Sequence, residues 1–174
     1  MKKIVAIIVL LFVALVGWLY YINLINVDEF RLGNYAVIEK DNVKVNEPMY
    51  VSYDFEYHGN GKPTIKEIRF IKTDGSFLTN EDEGISVTAY IDKSGKTLAS
   101  TQGPITEDEA KELNLLENYI QVENYKVEQK EVNVVLKVII KAENYMNNIS
   151  AVEIDYDLLG SPKTKQILIT GVAN

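Results

Sequence analysis

Val132-Asn133-Val134-Val135-Leu136-Lys137-Val138-Ile139-Ile140 is the stretch on which the reading of this protein turns. Every even-numbered position in it is apolar, the two-residue period of a β-strand whose side chains alternate between faces. Val135 and Ile139 make the second face partly apolar too, which predicts a strand at the centre of a sheet and covered on both sides.

The same period recurs outward from that strand. Val51, Tyr53, Phe55 and Tyr57 alternate with Ser52, Asp54, Glu56 and His58, and Gly59-Asn60-Gly61-Lys62-Pro63 follows as a turn. Residues 64–72 carry Ile68 and Phe70 and close on Asp74-Gly75, a strong turn dipeptide. Ile85, Val87, Ala89 and Ile91 form the apolar side of a third run, which Asp92-Lys93-Ser94-Gly95-Lys96 turns into residues 97–101 as a short hairpin. Ile120, Val122 and Val127 lead into the central strand. Beyond it, Val152, Ile154, Tyr156 and Leu158 alternate with acids, and Gly160-Ser161-Pro162 turns that strand into residues 163–171. With a further strand over 35–39, the count is eight or nine.

One helix interrupts this pattern. Thr106-Glu107-Asp108-Glu109 is a capping box, and Ala110, Leu113 and Leu116 follow as an apolar stripe, so a short helix is expected near 106–117. The fold class expected is mostly β: an antiparallel β-sandwich. In strand number and spacing, residues 34–172 resemble immunoglobulin-like modules. The buried cysteine pair and core tryptophan of antibody domains have no counterpart, because the protein has no cysteine and its one tryptophan, Trp18, lies elsewhere. The resemblance therefore reaches fold class and no particular family.

Trp18 belongs to residues 4–25, IVAIIVLLFVALVGWLYYINLI, where Asn23 is the one strongly polar side chain. At helical rise this run spans roughly 33 Å, close to the hydrocarbon thickness of a bilayer. Lys2 and Lys3 precede it, and Asp28 and Glu29 follow. By the positive-inside rule residues 1–3 are a cytoplasmic start, 4–25 a transmembrane signal-anchor, 26–33 a connector and 34–174 an extracytoplasmic domain. Lys2 and Lys3 would sit at the inner interface, and Trp18, Tyr20 and Tyr21 at the outer one. A cleaved signal peptide is the alternative, with a secreted product. Signal peptidase needs small residues at −3 and −1, whereas Ala14/Val16 and Leu15/Gly17 each supply one bulky residue.

All 25 acidic residues but only 16 of the 18 basic ones lie beyond Asn26, a formal −9 for the exported part. A surface of that sign repels phosphate backbones, so nucleic acid is not an expected partner. Without cysteine the fold must hold by packing rather than by disulfides.

Catalytic signals are sparse. His58 is the one histidine available as a general base and reads as an exposed residue beside a turn. With no cysteine and one histidine, no zinc or copper site and no cofactor is expected. Glu81, Asp82 and Glu83 could form an oxygen-rich calcium loop, although EF-hand spacing is lacking and a solvated loop explains them as well. Glu153, Asp155 and Asp157 share one strand face, as a glycosidase pair or calcium ladder would, and as an outward polar face also would. Asn148-Ile149-Ser150 matches the N-glycosylation triplet. Tyr53, Tyr57 and Tyr156 fall on inferred core faces. Tyr119, Tyr125 and Tyr145 read either as a surface aromatic patch or as edge packing.

The function expected is that of a single-pass envelope protein, held in the bilayer through residues 4–25, whose β-sandwich binds a protein or an envelope polymer. The alternatives are a carboxylate-dependent enzyme acting on envelope glycans and a structural subunit of a membrane complex.

Overall fold

The computed structural model describes residues 2–26, 29–80, 82–97, 103–142, 145 and 149–172. Helix α1 covers Lys2–Asn26. Within it, Lys3–Ile22 is long and apolar enough to cross a membrane, and none of that stretch is buried against the domain that follows.

That domain is two antiparallel sheets sharing one core. The first sheet takes β1 (Glu29–Tyr35), β2 (Pro48–His58), β8 (Glu131–Ile140), β4 (Ile85–Asp92) and β6 (Tyr119–Gln121) in that order, with the two-residue β5 (Ile105–Thr106) also on β2. The second runs β10 (Ser161–Leu168), β9 (Ile149–Leu158), β3 (Thr64–Lys72) and β7 (Tyr125–Lys126). Val51, Tyr53 and Phe55 of β2 and Val132, Val134 and Leu136 of β8 share the core with Ile65, Phe70, Val152 and Ile154 of the second sheet, all buried. Each such side chain contributes roughly 1.5–3 kcal/mol through removal from water, which replaces the missing disulfides.

The central position expected for 132–140 is the one β8 occupies, between β2 and β4. Its second face is covered as well. Helix α2 (Glu107–Glu112) packs there, and Ala110 and Leu115 close over Tyr50 and Val135 in a second apolar cluster. The expected capping box forms: the Glu109 amide donates to Thr106 Oγ1 at 3.3 Å, and the Thr106 amide donates to Glu109 Oε2 at 2.7 Å.

Several boundaries differ from those the periodicity suggests. The first strand is Glu29–Tyr35 rather than 35–39, so it occupies most of the expected connector. Phe30 drives this: its ring is fully buried, 5.2 Å from Tyr57 and 5.0 Å from Tyr156. The helix near 106–117 ends at Glu112 and is followed by a 3-10 turn over Leu116–Asn118. Asn114, at φ 53°, reverses the backbone between them; this turns Leu113 out to solvent and Leu115 into the cluster, so of the expected stripe Ala110 and Leu116 pack there and Leu113 does not. The last hairpin turns at Leu159-Gly160, and Ser161 and Pro162 already belong to β10. Of the strand expected over 97–101, Thr97 is helical rather than extended, and the rest lies outside the described residues.

Candidate functional site

Strand directions define two ends of the domain. Glu29, where β1 begins, pairs with His58 at the end of β2. The β9–β10 turn, the 59–63 loop and the start of β8 lie toward that same end. The segment 93–130 leaves β4 there, places β5 on β2 and α2 on the outer face of the first sheet, and lays β6 on β4 and β7 on β3. It thereby extends both sheets on one side and leaves a groove of about 520 Å³ between them. Asp92, Lys93, Gln121, Glu123, Lys126 and Glu131 are among its walls, with Tyr125 as the aromatic surface.

The groove is polar and carries both signs of charge. In its wall, Asp92 ties down the turn after β4: its Oδ1 accepts from the Ser94 amide and hydroxyl at 2.8 and 2.6 Å, and its Oδ2 accepts from the Thr97 amide at 3.0 Å. Burial pushes the Asp92 carboxyl up, but those hydrogen bonds outweigh it and hold the group below the usual range. The Thr97 hydroxyl lies 2.9 Å from Tyr119 Oη, and the Tyr119 ring lies between Tyr50 and Tyr90 at 5.7 and 6.3 Å. Sequence patterning does not reveal this groove, because its residues come from separate elements and the loops that join them.

One buried carboxylate stands apart. Asp54 points to the outer face of the first sheet yet is only 8% exposed. Its Oδ1, like the neighbouring Ser52 Oγ, has no hydrogen-bond partner among the described residues. The bulged β1 backbone lies against it: a Cβ at Gly33 would come within 3.3 Å of Asp54 Oδ2. Burial raises the Asp54 carboxyl above its ordinary value, and Glu131 and Glu56 add to the effect.

The residues singled out in the sequence fall as follows. Lys3, Trp18, Tyr20 and Tyr21 are exposed on α1, with the Trp18 and Tyr21 rings 6.4 Å apart, and Lys2 opens the helix. His58 is exposed and its Nε2 lies 2.9 Å from Glu56 Oε2. Glu153 and Asp155 do share the outer face of β9, but Arg69 stands between them, with Nη2 at 2.7 Å from Glu153 and 2.5 Å from Asp155. The Thr164 hydroxyl donates to the remaining Asp155 oxygen at 2.6 Å, and the guanidinium covers Phe77 at 4.6 Å. Two of the three acids in the row are thus charge-paired, a fact hidden from patterning because Arg69 lies 84 residues from Glu153, whereas Asp157 Oδ1 is buried with no hydrogen-bond partner among the described residues.

The acidic loop is structural at Asp82, which accepts from the Thr79 amide at 2.7 Å and from Lys72 Nζ at 2.9 Å. Those two interactions, the amide first, hold its carboxyl below the usual range. Glu81 lies outside the described residues, as does Asn148 of the glycosylation triplet, and Glu83 is exposed. Tyr53, Tyr57 and Tyr156 are core residues as expected, and Tyr53 Oη donates to the Gly171 carbonyl at 2.9 Å, tying down the C-terminal segment. Tyr119, Tyr125 and Tyr145 do not form one patch: Tyr119 joins the second cluster, while Tyr125 and Tyr145 pack on the main core. Among the described residues, no group of three His, Cys, Asp or Glu is placed to hold a metal ion.

Comparison with family models, with curated proteins and with solved structures finds no match for this protein.

Proposed function

We propose that this protein is a single-pass membrane-anchored binding module, with α1 in the bilayer, an immunoglobulin-like sandwich on the extracytoplasmic side, and the groove between β6 and β7 as its ligand face. The observation that carries the reading is the division of labour between the two parts. The surface of α1 is apolar and unburied, whereas the sandwich closes its own core and leaves a polar recess at one edge.

Strand order supports the immunoglobulin-like assignment. The constant-type sandwich pairs strands A-B-E-D against G-F-C. Lettering the seven long strands from A to G in order of sequence gives β1-β2-β8-β4 against β10-β9-β3, the same two orders. The segment 93–130 is then an insertion between the fourth and fifth strands, and it supplies most of the groove. Insertions between framework strands are where such folds carry recognition, because a rigid scaffold positions them without depending on them. Mixed charge, side-chain amides and one tyrosine suit a polar ligand, a peptide or an envelope polymer. Two of the three carboxylates that the glycan-cleaving alternative would recruit on β9, Glu153 and Asp155, are engaged by Arg69, which favours binding over hydrolysis.

Two measurements on intact cells test this. A C-terminal tag is expected to be digested by external protease, and a tag that stays protected overturns the topology. A photo-reactive residue in place of Gln121 is expected to give adducts that Glu123→Lys suppresses, while one in place of the exposed Thr73, just past β3 at the opposite end, gives none. Equal labelling from both positions overturns the groove as the ligand face.

A further inference from the structure

Leu159 is out of place for any purpose internal to the sandwich. It is 61% exposed at the tip of the β9–β10 hairpin. Its φ is +54° and that of Gly160 is +79°, so both central residues of the two-residue turn are left-handed. Turns of that kind favour Asn-Gly or Asp-Gly, and a leucine side chain there brings steric strain together with exposed apolar surface. Strain of this sort, when nothing in the fold requires it, points to a role outside the fold.

The position of the turn identifies the partner. From Asn26, the last residue of α1, to Glu29, the first of β1, the backbone can span at most about 11 Å. Glu29 therefore lies close to the C-terminal end of α1. Glu29 Oε2 accepts from Lys165 Nζ at 2.9 Å, and farther along Tyr35 Oη meets Thr170 Oγ1 at 3.1 Å, so β10 runs alongside β1 in the same sense. From Lys165 back to Ser161, β10 continues about 13 Å past Glu29, on the side from which the backbone enters the domain. The turn thus projects from the end of the sandwich at which β1 begins, the end that α1 joins. The 59–63 loop packs beside it, so closely that a Cβ on Gly61 would collide with Leu158 Cδ1, and that loop presents an exposed Lys62. An exposed leucine flanked by a lysine is the composition of an interfacial membrane contact.

We infer that the β9–β10 turn is a second membrane contact, in which Leu159 enters the headgroup region of the bilayer that α1 crosses and Lys62 lies at phosphate level. The inference rests on the anchored reading above. It makes the sandwich stand on the membrane at two points, which fixes its orientation and brings the groove, at the same end, close to the surface.

The absence of cysteine allows single-site labelling of the full-length protein. An environment-sensitive fluorophore is placed at Pro162→Cys, which retains Leu159, in nanodiscs of phosphatidylcholine with phosphatidylglycerol carrying spin-labelled acyl chains. The same probe at Leu11→Cys reports on α1. At Leu168→Cys it reports on a leucine that is 78% exposed at the opposite end of β10. Blue-shifted, quenched emission is expected at 162 and at 11, solvent-like emission at 168, and loss of the effect at 162 when Leu159→Asn is added. Asparagine suits the left-handed turn, so that variant keeps the hairpin. Solvent-like emission at 162 with quenching at 11 overturns the second contact alone. Solvent-like emission at both overturns the anchor and this inference together, and quenching at 162 that survives Leu159→Asn removes Leu159 from the contact.

Discussion

Among single residues, Asp54 is a buried carboxylate whose Oδ1 has no hydrogen-bond partner among the described residues. Its raised folded pKa has a defined consequence for stability. Aspartate in an unfolded protein titrates near ~3.9, and below that value both states hold the proton, so the group imposes no penalty. As pH rises from there toward the higher folded value, the unfolded state gives up a proton that the folded carboxyl still holds, so stability falls, and the loss is complete once pH has passed the folded value. Asp54→Asn removes the titration. Unfolding free energies of the two proteins, taken from urea titrations across a pH series, are expected to diverge in favour of the variant as pH rises above about 3.9. A gap that is flat or closes with rising pH would show that the carboxylate is stabilised by something other than its surroundings as described. Arg69 is the opposite case: Glu153 and Asp155 look reactive in the sequence, and one guanidinium gives both a structural task.

Among the elements, α2 shows how a short helix is stabilised. Six residues are too few to hold a helix in water by propensity, so the two capping hydrogen bonds and the burial of Ala110 supply what length does not. Thr106→Ala removes the side-chain half of the cap and is expected to lower stability by about 1 kcal/mol, read as a shift of the urea midpoint at unchanged slope. An unchanged midpoint would mean that the second cluster holds the helix without its cap. Much of this element is legible in the sequence, because the capping box is a local spacing; β8 likewise carries its own period. The end of the helix is not legible, because Asn114 in the left-handed region decides it and nothing in the apolar spacing distinguishes Leu113 from Leu115. Periodicity also places the first strand too late: the apolar residues of β1 are few, and it is packing in the assembled core, against Tyr57 and Tyr156 among others, that makes Phe30 a core residue.

For the whole molecule, independence of the two parts is the testable property. No described side chain of α1 is buried against the sandwich, so deleting residues 2–26 is expected to leave a domain that unfolds cooperatively with the thermal midpoint of the full-length protein in detergent. A large fall in that midpoint, or failure to fold, would mean that α1 contributes to the core.

Whatever depends on neighbours along the backbone can be read without a fold: the apolar run and its flanking charges, the two-residue period of the long strands, the capping box, and the absence of disulfides. Whatever depends on residues far apart in sequence appears only once the sheets are assembled. Assembly set the order of strands within each sheet, placed Arg69 between the carboxylates of β9, closed the groove, and buried Asp54 beneath the β1 bulge. Periodicity records which side of a strand meets the core, because burial selects side chains one position at a time. It does not record which strand lies alongside, because register is a property of pairs.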